Sequence, residues 1–218
     1  MRTKKEALSL IAERGFNASL IVDVGVATGT DGLYEVWPDA HYVLVEALPK
    51  FKDDLERIAS GLRSCQIFNA FAGRAPGTAD IATAPDQPHV HWPADIAPPG
   101  WPRDSIPIVT VDSLVSPRLT ISPATQAILK IDVDGAEIDV LEGARATLTC
   151  DCVVVIEAAL LDERTARFGR IINFMTAHGY EAWDILEPVL RPNDNLLWQV
   201  DLVFVPRDSA LRASRAYQ

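Results

Sequence analysis

Two acids frame a glycine-spaced turn in the stretch IVDVGVATGTDGLYEVWPDAHYVLVE, residues 21–46. Asp23 sits at the end of one apolar run and Glu46 at the end of the next. Between them the pattern is Asp23-x-Gly25-x-Ala27-x-Gly29. The dinucleotide fingerprint G-x-G-x-x-G uses its second glycine to let a pyrophosphate approach the backbone. Here Ala27 stands at that place and Thr30 at the third glycine's place. A Cβ at position 27 and a carboxylate at position 23 both disfavour a diphosphate. A ligand with a cationic group and no phosphate suits the turn better, and S-adenosylmethionine has a sulfonium, an ammonium and an adenosine. On this reading Asp23 organises the turn and the ammonium end, directly or through water. Glu46 accepts the two ribose hydroxyls, as an acid at this spacing does in nucleoside sites. The plainer account is a tight strand-to-helix turn with a capping acid.

A second group of charges lies in LKIDVDGAEIDVLEGA, residues 129–144. Lys130, Asp132, Asp134 and Glu137 gather where a strand ends and a helix begins. In a parallel sheet, ligands bind at that end. Asp134 and Glu137 also suit a helix start, where acids are favoured. Lys130 and Asp132 fit that account less well. Alternate strand residues share a face, so both point the same way, and a charged pair there is unusual without a task.

These groups need a frame to hold them. Apolar, Val- and Ile-rich runs at 19–24, 41–46, 65–71, 127–133 and 152–158 show little alternation, as strands buried on both faces do. Helical spacing appears at 49–62, 136–148 and 164–179, with Gly179 a stop. The order is that of a doubly wound α/β sheet. Runs at 181–187 and 197–206 have no helix between them and form an antiparallel pair. The expectation is one domain over residues 1–218: a Rossmann-like, mostly parallel seven-stranded sheet closed by an antiparallel C-terminal hairpin, with an N-terminal helix at 1–17. Residues 84–105 are rich in proline, carry His89, His91, Trp92 and Trp101, and fit no element. A loop that long in a compact domain is usually functional or disordered. The expected role is a lid over an acceptor, with the two tryptophans as stacking faces.

Composition narrows the class further. With 218 residues, 48% of them hydrophobic, and a formal charge of −10, the chain reads as a globular protein and not as a nucleic-acid binder. The start MRTKKEALSLIAERG lacks the long apolar core and small-residue cleavage site of a signal peptide. No run approaches a membrane span. The three cysteines, Cys65, Cys150 and Cys152, do not make a disulfide frame or a zinc site. A cytoplasmic protein is expected, and the N-terminal helix could pack on the sheet edge or on a second copy as a homodimer.

The segment LKIDVDGAEIDVLEGA resembles the LKIDVEGAELEVLKGA signature of the FkbM-type methyltransferases. VDVGVATGT, VLVEALP, IPIVTVDSL, VVVIEAA and QVDLVFV agree in order, so the resemblance spans residues 18–206. It implies a class I fold and S-adenosylmethionine-dependent O-methylation, often of sugars or secondary metabolites. Carried over by position, it puts Asp23, Gly25, Ala27 and Gly29 at the cofactor turn and Glu46 on the ribose. Asn69 and Ala70 border the adenine, and Asp132 faces the transferred methyl. The sequence departs from the pattern at Asp134, where Glu is commoner and reaches further, and at EALP, where EPxP is frequent.

Methyl transfer to a hydroxyl asks the protein to hold the acceptor oxygen in line, exclude water and remove a proton. Asp132, Asp134, Glu157 and His91 are the candidate bases. Glu157 also suits a surface or capping role. A divalent ion at the acidic edge, or at His89 and His91, is an alternative without a dense ligand motif behind it, so no metal is assigned. Two other functions compete with an O-methyltransferase acting on a small molecule or glycan. One is a nucleoside-binding protein without turnover. The other, less well matched, is a nicotinamide-dependent oxidoreductase, which Ala27 and the C-terminal hairpin disfavour.

Overall fold

The computed structural model describes residues 1–30, 32–115, 122–160 and 166–212, with residues 87–93 by backbone alone. In chain order the elements are α1 (Lys4–Glu13), β1 (Leu20–Val24), α2 (Leu33–Val36), β2 (His41–Val45), α3 (Lys52–Ser60), β3 (Ser64–Phe68), β4 (Phe71–Ala72), β5 (Gly77–Ala84), β6 (Gln87–Pro93), β7 (Arg103–Val109), α4 (Val111–Val115), β8 (Gln126–Ile131), α5 (Glu137–Glu142), β9 (Asp151–Ala159), α6 (Arg167–Ala177), β10 (Tyr180–Leu190) and β11 (Leu197–Pro206).

Seven strands form one sheet in the order β10-β11-β9-β8-β1-β2-β3. The five from β3 to β9 run parallel, and β11 pairs antiparallel with both β9 and β10. The two faces carry different layers. Ile21, Tyr42, Leu44, Ile128, Val153, Val155 and Val203 pack with Ala7, Leu8 and Ile11 of α1, Leu33 of α2 and Leu55 of α3. Leu20, Val22, Leu129, Ile131, Val154 and Ile156 pack with helices α4, α5 and α6. Central strands are therefore buried on both sides, which is why they read as unbroken apolar runs.

Three expectations change in detail. The run at 65–71 divides, because β3 ends at Phe68 and Phe71–Ala72 joins a second sheet of order β4-β7-β5-β6. The helix expected at 136–148 stops at Glu142. The Gly143 Cα packs against the backbone at Gly73, where an added Cβ would lie 2.0 Å from the carbonyl oxygen. Beyond it, Asp112 accepts bonds from the Ala146 and Thr147 backbone N–H groups, both at 2.8 Å, and starts a separate 3-10 turn at Thr147–Thr149. Residues 164 and 165 of the helix expected at 164–179 lie outside the described residues, and α6 starts at Arg167.

The largest correction concerns 84–105. It is not one irregular loop, since it contains β6 and the start of β7. Among the described residues β6 occupies the sheet edge and pairs with β5 alone, with Ile81 opposite Pro93, Ala82 opposite Trp92 and Thr83 opposite His91. An edge strand tolerates proline because its missing N–H can face outward.

Candidate active site

The face of the large sheet that is apolar under α1 turns ionic at its C-terminal edge. Asp23 continues the alternation begun by Ile21, and Lys130 that begun by Ile128. The two face each other in the β1–β8 register. Glu157 continues the alternation of Val153 and Val155 and lies opposite Asp201 in the β9–β11 register. Sheet geometry thus lines up Asp23, Lys130, Asp132, Glu157 and Asp201 along one edge.

Above this edge lies a cavity of about 810 Å³. Its wall is built from the turn Gly25–Thr30, from Glu46–Leu48 and Phe51, from Ala70–Ala72, from Ala79–Ile81 on β5, and from Lys130, Asp132–Asp134 and Lys4. The second sheet therefore reaches the cavity through β4 and β5. The described lining includes no residue of 84–105 beyond them.

The turn after β1 takes the left-handed region three times, with φ of +76° at Gly25, +46° at Ala27 and +121° at Gly29. At Gly25 no side chain fits, because a Cβ would lie 1.8 Å from the Asp132 carbonyl oxygen. The left-handed region costs an L-residue such as Ala27 roughly 1–2 kcal/mol. A compensating bond is present: the Ala27 N–H donates to Glu46 Oε2 at 2.9 Å. Glu46 Oε1 accepts from the Leu48 N–H at 2.8 Å. Glu46 is thus the brace of the turn as well as part of the cavity wall, and each oxygen keeps a lone pair for a further donor.

Asp23 stands behind the wall. It is fully buried and absent from the cavity lining, so it organises the turn from behind and any part in holding the ammonium end would be indirect. Its Oδ2 accepts from Thr30 Oγ1 at 2.9 Å and Tyr34 Oη at 2.5 Å. Burial, and then the Asp23 charge, push the Tyr34 phenol above its ordinary range, so it stays a donor. Asp23 Oδ1 has no hydrogen bond and faces the Lys130 ammonium at 3.5 Å. Lys130 reaches the Gly25 carbonyl at 3.1 Å and Asp132 Oδ2 at 3.1 Å. One buried ammonium therefore joins the cofactor turn, the buried acid and the half-exposed acid of the cavity.

The other expected residues divide. Asp132 lines the cavity, and Ala70 does too. Asn69 is exposed and off the lining. Asp134 is at the rim, with 96% of its side chain exposed and a 2.8 Å ion pair to Arg167. It does not cap α5, and the buried Glu137 instead accepts from the Gly135 N–H at 3.0 Å. His91 falls on β6, and its side chain lies outside the described part of the structure, as do those of His89 and Trp92. Among the described residues no group of three or more His, Cys, Asp or Glu is arranged to hold a metal ion, and no helix is long and apolar enough to cross a membrane.

Glu157 is half-buried and off the cavity lining, next to the lining residues Asp132 and Lys4, and Gln199 Nε2 donates to its Oε2 at 2.6 Å. Burial, reinforced by Asp132 and Asp201, pushes its carboxyl up to about 7, while Lys4 and Lys130 pull the other way. Sequence reasoning missed Lys4, Glu187 and Gln199. It also missed Asp201, although a lone acid inside the apolar run QVDLVFV was a usable signal.

The profile of the methyltransferase FkbM domain matches residues 23–182, which holds Asp23, the turn, Glu46 with its strand, and the Lys130–Glu137 segment. The chain belongs to the FkbM methyltransferase family. Solved structures agree on the fold of this FkbM-family chain. An rRNA methylase from Streptococcus thermophilus is 11% identical with a TM-score of 0.51, covering 94% of this chain and 97% of its own. Cofactor-bound Rv0187 from MTB is 14% identical with a TM-score of 0.51, covering 94% and 80%. The N-methyltransferase NodS from Bradyrhizobium japonicum WM9 is 7% identical with a TM-score of 0.50, covering 94% and 95%. The architecture is the class I S-adenosylmethionine-dependent methyltransferase fold. No curated protein matches the chain.

The donor set of the cavity suits S-adenosylmethionine. A carboxylate with spare lone pairs, Glu46, stands beside the turn, and the Asp132 carboxylate lies on the lining as a partner for a cationic group. The wall near Ala70–Ala72 and Phe51 is apolar enough for a purine.

Proposed function

We propose that the protein transfers a methyl group from S-adenosylmethionine to a hydroxyl of a small molecule or glycan, with Glu157 as the general base. The observation that supports this is the setting of Glu157: a half-buried carboxyl beside Asp132 and Asp201, held up to about 7. A base poised near neutrality suits removal of a hydroxyl proton.

Bound in the cavity, S-adenosylmethionine supplies a methyl on a sulfonium, open to in-line displacement by an oxygen nucleophile. The chain's own residues do the rest. Glu46 holds the ribose hydroxyls, Ala70 borders the base, and the Gly25–Gly29 turn with Asp132 holds the methionine part. Gln199 occupies Oε2 of Glu157, which leaves Oε1 as the atom that takes the proton. On this reading the acceptor sits at the part of the cavity lined by Asp132 and Lys4, and Glu157 stands off that lining, next to both.

Calorimetric titration with S-adenosylmethionine, S-adenosylhomocysteine and NAD tests the cofactor, with Glu46→Ala as control. Binding of the first two, weakened in the variant, supports the reading, whereas a preference for NAD overturns it. A screen of hydroxyl, amine and carbon acceptors with methyl-labelled S-adenosylmethionine then tests the reaction. Label found on nitrogen or carbon acceptors alone would overturn O-methyl transfer.

A further inference from the structure

Four consecutive residues fasten the start of α1 across the acceptor half of the site. Arg2 pairs with Asp184 at 2.6 Å and its carbonyl accepts from the Glu187 N–H at 3.3 Å. Thr3 caps the helix through a reciprocal bond set with Glu6. Lys5 pairs with Glu35 of α2 at 2.5 Å. Lys4 differs from its neighbours because its ammonium points inward. It lines the cavity, lies 2.5 Å from Asp201 and 2.8 Å from Glu187, and its side chain is 17% exposed. Its backbone N–H also donates to Glu187 at 2.8 Å.

Half-exposed pairs such as Arg2–Asp184 and Lys5–Glu35 already anchor the helix, so anchoring alone does not require a buried lysine. Burying an ammonium is costly unless it is paired, and here one of the two partners, Asp201, lies opposite the candidate base in the β9–β11 register. Burial would lower the Lys4 ammonium, but the bonds to Asp201 and Glu187 carry it above the ordinary lysine range, so it is charged at every working pH. Glu157 lies near this pair, facing Asp201 and Gln199 on β11, Lys130 on β8, Asp132 just past the end of β8, and Lys4 on α1. Lys130 is committed to Asp23, Asp132 and the Gly25 carbonyl. Among the described residues, Lys4 is thus the second cation near Glu157.

We propose that Lys4 is a positioning residue of the acceptor half of the site: from the first turn of α1 it holds Asp201 and Glu187 at the strand edge and sets the charge that Glu157 faces. The inference rests on the reading of Glu157 as the base. Burial already pushes the Asp201 carboxyl up, so without Lys4 the facing acids Asp201 and Glu157 lose their compensating cation and hold a proton to higher pH. The N-terminal helix, which has no part in the cofactor turn's chemistry, would then govern the pH at which the acceptor loses its proton.

The test is a ¹³C NMR titration of protein labelled at the glutamate side-chain carboxyl, with the Glu157 resonance assigned by its loss in Glu157→Gln. Lys4→Met and Lys4→Gln are expected to move the Glu157 midpoint about one pH unit higher, the size of effect an adjacent charge has. Lys4→Arg is expected to return it towards the original value. Arg2→Met, which loosens the helix without facing Glu157, is expected to lower the melting temperature and leave the midpoint in place. A midpoint unmoved in folded Lys4→Met or Lys4→Gln overturns the proposal. So does a shift of equal size in Arg2→Met, which would make helix docking, and not Lys4, the cause. The base assignment fails separately, if Glu157→Gln retains methyl transfer, because the titration reads Glu157 whatever its role.

Discussion

Asp23 and Lys130 face each other across two neighbouring parallel strands, both buried, with the ammonium 3.5 Å from a carboxylate oxygen that has no hydrogen bond. The pair lies directly behind the cofactor turn, because the same ammonium binds the Gly25 carbonyl. Removing one member of a buried ion pair leaves an uncompensated charge and costs about 3–5 kcal/mol. Lys130→Met is therefore expected to lower the melting temperature and to abolish S-adenosylmethionine binding in calorimetry. The double variant Asp23→Asn/Lys130→Met is expected to recover much of the stability but not the binding, since the tie to Gly25 and Asp132 stays broken. Equal melting of wild type and Lys130→Met would refute this account.

Glu46 braces two backbone N–H groups with its two oxygens. Glutamine offers only one acceptor, so in Glu46→Gln an amide group must face either Ala27 or Leu48 donor to donor. An unsatisfied buried N–H costs about 1–3 kcal/mol. The variant is expected to lose stability of that order and at least about tenfold in cofactor affinity, since about 1.4 kcal/mol corresponds to a factor of ten. Melting and calorimetry on one preparation check both. Lost affinity at unchanged stability would confine Glu46 to the ligand and remove its bracing role.

The sequence showed the central sheet and the cofactor turn because both are local in their causes. Strands buried on two faces must be apolar throughout, and a sharp strand-to-helix turn must carry glycine at Gly25. The second sheet stayed hidden because its strand β6 holds prolines that only an edge position excuses, and edge position is a tertiary fact. Burial of Asp23 behind its own turn was equally unreadable, since it depends on Thr30, Tyr34 and Lys130 converging on one carboxylate. The contact of Lys4 with Asp201 joins residues 197 apart in the chain, and no spacing rule reaches that far.

Asp132 and Asp134 are two residues apart yet differ in setting. Both reach the cavity wall, but Asp134 stands at its rim with a 96% exposed side chain paired with Arg167, whereas Asp132 is less exposed and paired with the buried Lys130. Exposed ion pairs contribute about 0–1 kcal/mol. Asp134→Asn is expected to change stability by no more than that and to retain cofactor binding. Asp132→Asn is expected to keep the fold and lose methyl transfer by about 100-fold, the loss that misplacing a bound reactant brings. Labelled transfer assays on the two variants compare them, and a greater loss in Asp134→Asn would move the chemistry to the rim.

Glu157 makes stability itself depend on pH. Its folded carboxyl is pushed up from the ordinary 4.5 to about 7, chiefly by burial, so the folded state holds a proton that the unfolded chain has released over that interval. The stability this confers is fully present below the ordinary glutamate range and is lost as pH rises through about 7. Glu157→Gln cannot ionise, so its melting temperature relative to wild type is expected to rise steadily from pH 4.5 to about 7 and then level off. Transfer by the wild-type protein is expected to run in step, weak where Glu157 is protonated and rising through the same interval. The two curves come from independent measurements, melting in one case and labelled methyl transfer in the other. A melting difference that is flat across this range would show that Glu157 titrates elsewhere and remove it as a base matched to neutral pH.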